Sequence, residues 1–252
     1  MSAHIQVRDV TKRFGAMTAL DRVALDIGRG EFAAVVGPSG CGKSTLMRIV
    51  AGLDTADGGD VHVGGRPVAG PHPGVGIVFQ SAVLLPWKTV RGNIGFPFEM
   101  GGVDPRPHAA RIDGLIRLAG LTGFEAHLPH QLSGGMQQRV AICRALAPDP
   151  DLLLLDEPFG ALDAMTRETM NLELQRIWME SRKTVLMITH GIAEAVFLAD
   201  RVHVMTARPG SIARSFDVDL PRPRTAETVE DPRFRRLVRE VRALFGGAIG
   251  LG

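Results

Sequence analysis

The feature that most constrains this 252-residue chain is a glycine-rich segment at residues 37–45, Gly-Pro-Ser-Gly-Cys-Gly-Lys-Ser-Thr. It matches the pattern G-x-x-x-x-G-K-[ST], follows the apolar run Glu31–Val36 and precedes a helical pattern at Lys43–Ala51. Glycines let the backbone curl so that successive N–H groups point at bound phosphates, and the helix adds its positive N-terminal end. Strand, loop and helix in this order predict a nucleoside triphosphate site.

The residues of this segment, called the phosphate loop below, have distinct expected roles. We expect Lys43 to place its ammonium group on the β and γ phosphates and Ser44 to supply a hydroxyl to Mg²⁺. Cys41 lies near a helix N-terminus and Lys43, which both lower the pKa of a thiol, but a small residue filling a small slot is favoured over a redox switch. The predicted phosphate ligands are Gly37, Pro38, Ser39, Gly40, Cys41, Gly42, Lys43, Ser44 and Thr45.

The composition is that of an ordinary globular chain with nearly balanced charge. It has 29 Lys plus Arg against 27 Asp plus Glu, with no long basic block, which argues against nucleic acid as a partner. Its two cysteines, Cys41 and Cys143, are too few for a disulfide framework, so we expect a reducing compartment. The sequence has neither a signal-peptide core nor an apolar run of about 18 residues. We therefore expect a soluble chain that reaches a membrane only through a partner.

Strand and helix patterns alternate along the chain and predict an α/β fold with a mainly parallel sheet. Apolar alternation between Ile5 and Ile27 indicates antiparallel strands, whereas Leu152–Leu155 and Thr184–Thr189 are continuous apolar runs typical of buried strands. The middle of the chain is helical or loop-like. We predict one domain over residues 1–252, with a catalytic core at about 1–85 and 150–215, a helical subdomain at 86–149 and a tail helix at about 217–246.

Two acidic residues end the strand predicted at Leu152–Leu155. Asp156 is placed to contact Mg²⁺, usually through water, and Glu157 to orient or deprotonate an attacking water. The alternative is an acidic surface turn before Pro158. Since a domain that only binds a nucleotide has no need of the second carboxylate, the pair favours hydrolysis.

A second glycine-containing helix start lies at Leu132–Gln138. Ser133 is a good N-cap residue, and the two glycines after it leave backbone N–H groups bare. Such a start is a weak signal by itself, because capped helices that begin with glycine are common. Taken together with the phosphate loop, it predicts a second anion site in a chain for which only one magnesium site is predicted.

These motifs together resemble the ATP-binding subunit of ABC transporters over about residues 4–215. In order, they are residues 37–45 as Walker A, Gln80 as the Q-loop, Leu132–Gln137 as the signature, Leu152–Glu157 as Walker B, Ala161–Asp163 as the D-loop and His190 as the switch histidine. The resemblance implies an α/β P-loop NTPase (RecA-like) core with an N-terminal antiparallel β subdomain and an inserted α-helical subdomain. It also implies ATP and Mg²⁺ as ligands.

The resemblance further implies a head-to-tail homodimer in which the signature of one copy closes over ATP bound to the other. The signature residues that would act in this way are Ser133, Gly134, Gly135 and Gln137. Asp163 is expected to act across the same interface. This arrangement accounts for two anion sites in one chain.

Single residues also acquire implied roles. Phe14 matches the aromatic that stacks on adenine, with a buried core phenylalanine as the alternative. Gln80 can reach Mg²⁺ and the attacking water, and His190 can hold the γ-phosphate, with a helix-capping histidine as its alternative. The expected catalytic residues are Glu157, His190 and Gln80, and the expected magnesium ligands are Ser44, Gln80 and Asp156.

The apolar segment after Gln80 predicts a protein partner. An exposed cluster at Leu85, Pro86 and Trp87 is typical of a docking groove, and self-packing within the helical subdomain is the alternative. In ABC importers this region contacts an integral membrane permease. Leu85–Trp87, Asp156–Arg167 and Ala207–Ile212 resemble the nitrate, sulfonate and taurine importer group, which receives its cargo from a periplasmic binding protein. The resemblance implies a peripheral position on the cytoplasmic face of a bacterial inner membrane.

Three other readings remain open at this point. The first is an importer ATPase for another small nutrient. The second is a non-transport ABC ATPase of DNA repair, which would need a coiled-coil or zinc insertion where only 53 positions separate Gln80 and Ser133. The third is a P-loop kinase, which would have no use for Leu132–Gln137.

Overall fold

The computed structural model confirms the alternation of strands and helices. It describes residues 3–160 and 162–246, so Ala161 of the predicted D-loop lies outside the described residues. The elements in chain order are β1 (Ala3–Phe14), β2 (Met17–Gly28), β3 (Phe32–Val36), α1 (Lys43–Val50), β4 (Gly58–Val63), β5 (Arg66–Pro67), β6 (Val75–Val78), α2 (Val90–Met100), α3 (Ala109–Leu118), α4 (Gly134–Leu146), β7 (Leu152–Asp156), α5 (Ala164–Ser181), β8 (Thr184–Thr189), α6 (Ile192–Leu198), β9 (Arg201–Met205), β10 (Ile212–Asp217) and α7 (Pro232–Gly246).

These elements divide between two compact units. The first unit comprises Met1–His72 and Arg182–Gly252, and the second comprises Pro73–Ser181. The helical subdomain predicted at 86–149 lies inside the second unit.

The first unit holds two sets of strands. An antiparallel sheet has the order β2-β1-β4-β5, with Ile5 opposite Ile27 on one side and Val63 on the other, as the apolar alternation predicts. In the other set, β3 is parallel to both β8 and β9, and β10 is antiparallel to β9. All five residues of β3 are buried, which accounts for its uninterrupted apolar sequence.

The second unit pairs β6 with β7 in parallel, from Val75 opposite Leu152 to Val78 opposite Leu155. Helices α2, α3 and α4 pack against one another there. Asn93 of α2 is fully buried, and its side-chain amide donates to the carbonyls of Leu85, Lys88 and Thr89. This side chain fixes the backbone of the loop that precedes α2. Across the described ranges, no helix is both long enough and apolar enough to span a membrane.

The C-terminal helix α7 begins at Pro232, well after residue 217, where the tail helix was predicted to start. Its apolar face, with Phe234 and Val241 buried, packs on α6. The segment before it, which contains a short 3-10 helix at Ala226–Glu230, is anchored by Arg224, which is only 1% exposed. The guanidinium donates to the carbonyls of Val196 (3.0 Å), Phe197 (2.9 Å) and Ala199 (2.7 Å).

Arg224 therefore closes the C-terminal end of α6, whose last carbonyls have no partner within the helix. It also donates to the carbonyls of Val218 and Leu220, which fastens the chain after β10 to the same point. Burial lowers the pKa of Arg224 to about 10, so the side chain remains charged at neutral pH. One buried cation thus replaces several missing backbone donors.

Replacing Arg224 by Met should lower the free energy of unfolding by about 2–4 kcal/mol, because the carbonyls at the end of α6 would stay buried without donors. Urea denaturation followed by circular dichroism measures the change. Arg236→Ala is the control, since the Arg236 side chain is exposed and its Nε lies 3.8 Å from the carboxylate of Glu240. A loss below about 1 kcal/mol in the Met variant would contradict the role assigned to Arg224.

Candidate nucleotide-binding and catalytic site

The phosphate loop has the backbone shape that its glycines predict. Gly40 and Gly42 adopt left-handed conformations, with φ of 74° and 103°. The loop closes on itself through a hydrogen bond from Cys41 N to Pro38 O at 3.3 Å, and α1 begins at Lys43. No side chain caps the start of α1 at Gly42, so the positive end of this helix faces the phosphate loop without a capping side chain, an arrangement that suits an anion.

Lys43 lies within this loop and is 5% exposed. Its ammonium group donates to the carbonyls of Gly37 at 2.8 Å and Pro38 at 3.1 Å. Both of these acceptors are neutral, so they do not neutralise the charge of the buried ammonium. A ligand with negative charge would therefore bind favourably beside it. Ser44 and Thr45 follow on the first turn of α1, with Ser44 exposed.

The thiol of Cys41 is 1% exposed, and burial raises its pKa despite the nearby ammonium of Lys43. The expectation that the helix end and Lys43 would lower this pKa is therefore wrong, because desolvation of the thiolate is the larger effect. A Cβ at Gly37 would lie 2.8 Å from the sulfur. These distances support the interpretation of Cys41 as a small side chain in a tight slot.

The loop that contains Arg208 and Gly210 packs against the phosphate loop. The sequence patterns did not predict this contact. Gly210 N donates to Ala19 O at 3.0 Å, and Gly210 O accepts from Asp21 N at 2.9 Å. A Cβ on Gly210 would lie 2.0 Å from the carbonyl oxygen of Cys41. Arg208 adds a bond from Nε to Gly40 O at 3.2 Å. The only sequence signal was the Pro-Gly turn at this point, which carries no information about a contact so distant in the chain.

His190 comes to the same edge of the sheet as the phosphate loop. The backbone of Thr189, the last residue of β8, is in register with Val36, the last residue of β3. His190 and Gly37 are the next residues of these parallel strands, and ligands of α/β sheets bind beyond such strand ends. His190 is exposed, and the N-cap of α6 is Gly191, so the geometry does not favour the capping alternative.

Phe14 lies at the end of β1 beside a tight hairpin and is 48% exposed. The alternative of a buried core phenylalanine is therefore wrong. The ammonium of Lys12 stands 5.4 Å from the centre of the ring and is itself bonded to Asp54 at 2.9 Å. An exposed aromatic ring of this kind offers a surface on which a base can stack.

The acidic pair occupies the end of β7 in the second unit. Asp156 is the last strand residue, and Glu157 adopts a left-handed backbone with φ of 44°, which is strained for a residue with a side chain. Gln80 Nε2 donates to Glu157 Oε2 at 3.5 Å, and Gly160 N donates to Glu157 O at 3.0 Å. A carboxylate where the backbone favours glycine is typical of a functional position.

The signature lies at the start of α4 in the second unit, where this helix packs against the start of α5. Ser133 caps α4 by accepting from Met136 N at 3.3 Å, and Gly134 is exposed. Gln137 Nε2 donates to the carbonyls of Pro129 and Leu132, which fixes the approach to the helix. The start of α4 lies against α5, since a Cβ at Gly135 would lie 3.1 Å from the methyl group of Thr166.

Asp163 immediately precedes α5. Its carboxylate accepts from Thr166 N at 3.0 Å and from the Thr166 hydroxyl at 2.7 Å, and these bonds lower the pKa of Asp163. The side chain that the resemblance places across an interface is thus engaged as a helix cap in this chain.

The segment predicted to meet a partner is exposed. Trp87 is 72% exposed and Val83 59%, while Pro86 is exposed and Leu85 half-buried. For Trp87 the self-packing alternative is wrong. The backbone beneath is held by Asn93 and by Arg144, which donates to the carbonyls of Ala82 and Val83.

The structure thus gathers the site residues within each unit. The phosphate loop and His190 share a sheet edge in the first unit, while Gln80 contacts Glu157 and the signature contacts α5 in the second. In the part of the chain that is described, no three His, Cys, Asp or Glu side chains cluster in a way that could hold a metal ion by themselves.

Comparisons with known proteins agree with this geometry. Residues 20–160 match the family model described as ABC transporter. The nitrate import ATP-binding protein NrtD of Synechocystis sp. is 42% identical over 97% of this chain and 96% of its own length. The taurine import ATP-binding protein TauB of Rhizobium johnstonii is 46% identical over 92% and 91%. The dimeric structure of MJ0796, a bacterial ABC transporter cassette, superposes with a TM-score of 0.73 at 33% identity, covering 86% of this chain and all of that one.

A second structure of MJ0796 is described as a post-hydrolysis state of the ATP-binding cassette bound to ADP and Pi. It gives a TM-score of 0.72 at 33% identity, and it likewise covers 86% of this chain and 100% of that chain. The TM-scores and identities of both structures indicate that this chain has the fold of that cassette.

Replacing Gly210 by Ala should weaken ATP binding about tenfold or more, because the new Cβ would push the carbonyl of Cys41 and with it the phosphate loop. Titration with a fluorescent ATP analogue measures the dissociation constant. Gly70→Ala serves as the matched control, since a Cβ at Gly70 meets open space. Equal affinity of the Gly210 variant and the wild type would show that the loop that contains Gly210 does not set the shape of the phosphate loop.

Proposed function

Since the chain belongs to the ABC transporter family, we propose that it is the ATP-hydrolysing subunit of an importer for a small anion or nutrient of the nitrate, sulfonate or taurine type. The observation that carries the hydrolytic part is the strained Glu157 held against Gln80 at the end of β7. A chain that only bound ATP would not need a second carboxylate after Asp156 at this strand end, directed toward Gln80.

The main binding site for ATP is the phosphate loop. The positive N-terminal end of α1, which no side chain caps, and the ammonium of Lys43 provide the site for the triphosphate. Phe14 supplies an apolar ring for adenine. Phe14 carries no hydroxyl that could bond to the base, so we expect little discrimination between ATP and GTP from this contact.

Hydrolysis is assigned to three side chains. Glu157 accepts the proton of the attacking water, Gln80 orients that water through its amide oxygen, and His190 donates to the γ-phosphate. The bond from Gln80 to Glu157 uses the amide nitrogen, so the amide oxygen is not consumed by it. Backbone strain and this bond hold the base in one position.

The residues expected to hold Mg²⁺ are Ser44, Gln80 and Asp156. Their hydroxyl, amide and carboxylate oxygens are the hard donors that this ion prefers, and no soft or imidazole ligand is among them. When bound, Mg²⁺ neutralises charge that develops on the β and γ oxygens.

A second copy of the chain completes the site in this proposal. Ser133 accepts the Met136 N–H with a lone pair, which leaves its hydroxyl proton for a phosphate oxygen, and the exposed Gly134 follows it at the start of α4. Gln137 braces this helix start. Asp163 lies at this interface in the proposed dimer, where its carboxylate also caps the start of α5. Support comes from the dimeric state of the MJ0796 cassette.

The permease is the expected membrane partner, and its docking surface is Leu85, Pro86 and Trp87. A rigid loop that exposes most of an indole fits a partner helix that packs against it. The chain then lies on the cytoplasmic face of the bacterial inner membrane and meets the periplasmic binding protein only through the permease. No surface for nucleic acid is proposed.

The cargo class rests on the relatives named for nitrate and taurine import, together with the Leu85–Trp87 and Ala207–Ile212 segments. Deleting the gene should slow growth when nitrate, taurine or an alkanesulfonate is the sole source of nitrogen or sulfur. Growth on ammonium and sulfate is the control. Normal growth on all three compounds would contradict the cargo class and favour an importer of another nutrient, while leaving the ATPase assignment intact.

Replacing Glu157 by Gln should leave ATP affinity within about twofold and reduce turnover by ~10²–10⁴-fold, the usual contribution of a general base. Phosphate release by purified protein measures turnover, and a fluorescent ATP analogue measures affinity. Glu168→Gln on the exposed face of α5 is the matched control and should keep wild-type turnover. If the Glu157 variant retained more than about a tenth of the rate, Glu157 would not be the base.

A further inference from the structure

A buried polar relay surrounds the exposed His190. Thr189 is 2% exposed and Glu194 8%, although both side chains are polar. The Thr189 hydroxyl donates a hydrogen bond to Glu194 Oε2 and accepts one from Gly191 N at 2.9 Å. The relay therefore joins the last residue of β8 to the first turn of α6.

The relay has one direction only. A hydroxyl has a single proton, and Gly191 N–H must be accepted by a lone pair, so the proton points to Glu194. Burial keeps water from competing for these groups.

The turn around His190 is closed tightly on this relay. A Cβ at Gly191 would lie 3.2 Å from Glu194 Oε2 and 3.3 Å from the Thr189 hydroxyl oxygen, which leaves little room for any side chain. On the other side, the backbone of Thr189 is fixed by its parallel pairing with β3 opposite Val36. Both neighbours of His190 are thus held, one by the sheet and one by the hydroxyl.

We infer that Thr189 and Glu194 are positioning residues that set the direction in which His190 meets the γ-phosphate. The inference rests on the proposed contact of His190 with that phosphate. Neither side chain reaches the nucleotide itself, because both are buried behind the turn. Their effect is on the orientation of the exposed imidazole, where a displacement of about 1 Å can cost ~10²-fold in rate.

The test compares Thr189→Val with Thr189→Ser in steady-state ATP hydrolysis. Valine has the shape of threonine without the hydroxyl, so kcat should fall about tenfold or more while KM for ATP stays within about twofold. Serine keeps the hydroxyl and should stay within about threefold of the wild-type kcat. Thermal unfolding of both variants checks that the fold is retained.

A second arm distinguishes positioning from a general structural role. In a His190→Ala background, Thr189→Val should lower kcat by less than about twofold, because the side chain it orients is gone. A wild-type kcat in Thr189→Val, or an equal loss in both backgrounds, would overturn the inference. If Thr189→Val does not fold, Glu194→Gln takes its place, with about a threefold to tenfold loss expected; an unchanged kcat would overturn the inference equally.

The proposed function fails in a different way. If His190→Ala alone kept the wild-type kcat, or if the wild-type chain hydrolysed no ATP, the proposed role of His190 would be wrong. A defective His190→Ala beside a normal Thr189→Val would leave that role standing and reject only the relay.

Discussion

The structure depends on backbone segments that approach the phosphate loop more closely than any side chain would allow. A Cβ at Gly37 would meet the sulfur of Cys41 at 2.8 Å, and a Cβ at Gly42 would meet Leu20 at 2.6 Å. Gly210, far along the chain, stands under the same loop. Close packing against the phosphate loop fixes its backbone conformation. The proposed anion site is therefore formed before a ligand binds.

Local patterns were enough to predict most of this framework. Strand β8 has the bounds Thr184–Thr189 that its apolar run predicted. The α/β class followed from such runs, because helix and strand periods are properties of neighbouring residues. The boundaries of the catalytic core and helical subdomain stay predictions.

What the sequence did not predict depends on contacts between distant residues. Arg224 has carbonyl partners 25 to 28 positions away, and Arg208 bonds to Gly40 across 168 positions. Nothing in the local pattern distinguishes either arginine from the many that face solvent. The pKa of Cys41 was misjudged for a related reason, since the sequence reveals the neighbouring charge of Lys43 but not the burial that outweighs it.

Two residues assigned to hydrolysis sit immediately after parallel strands, and each is fixed by its own device. A strand delivers a side chain to the edge of the sheet, but the residue beyond it is free to turn. At Glu157 a left-handed backbone and a bond from Gln80 remove that freedom, and at His190 the hydroxyl of Thr189 removes it. The polar groups that hold His190 are buried at a cost in desolvation, whereas Gln80 beside Glu157 is exposed. Both arrangements serve the proposed hydrolysis in the same way, because each side chain is oriented before the substrate binds.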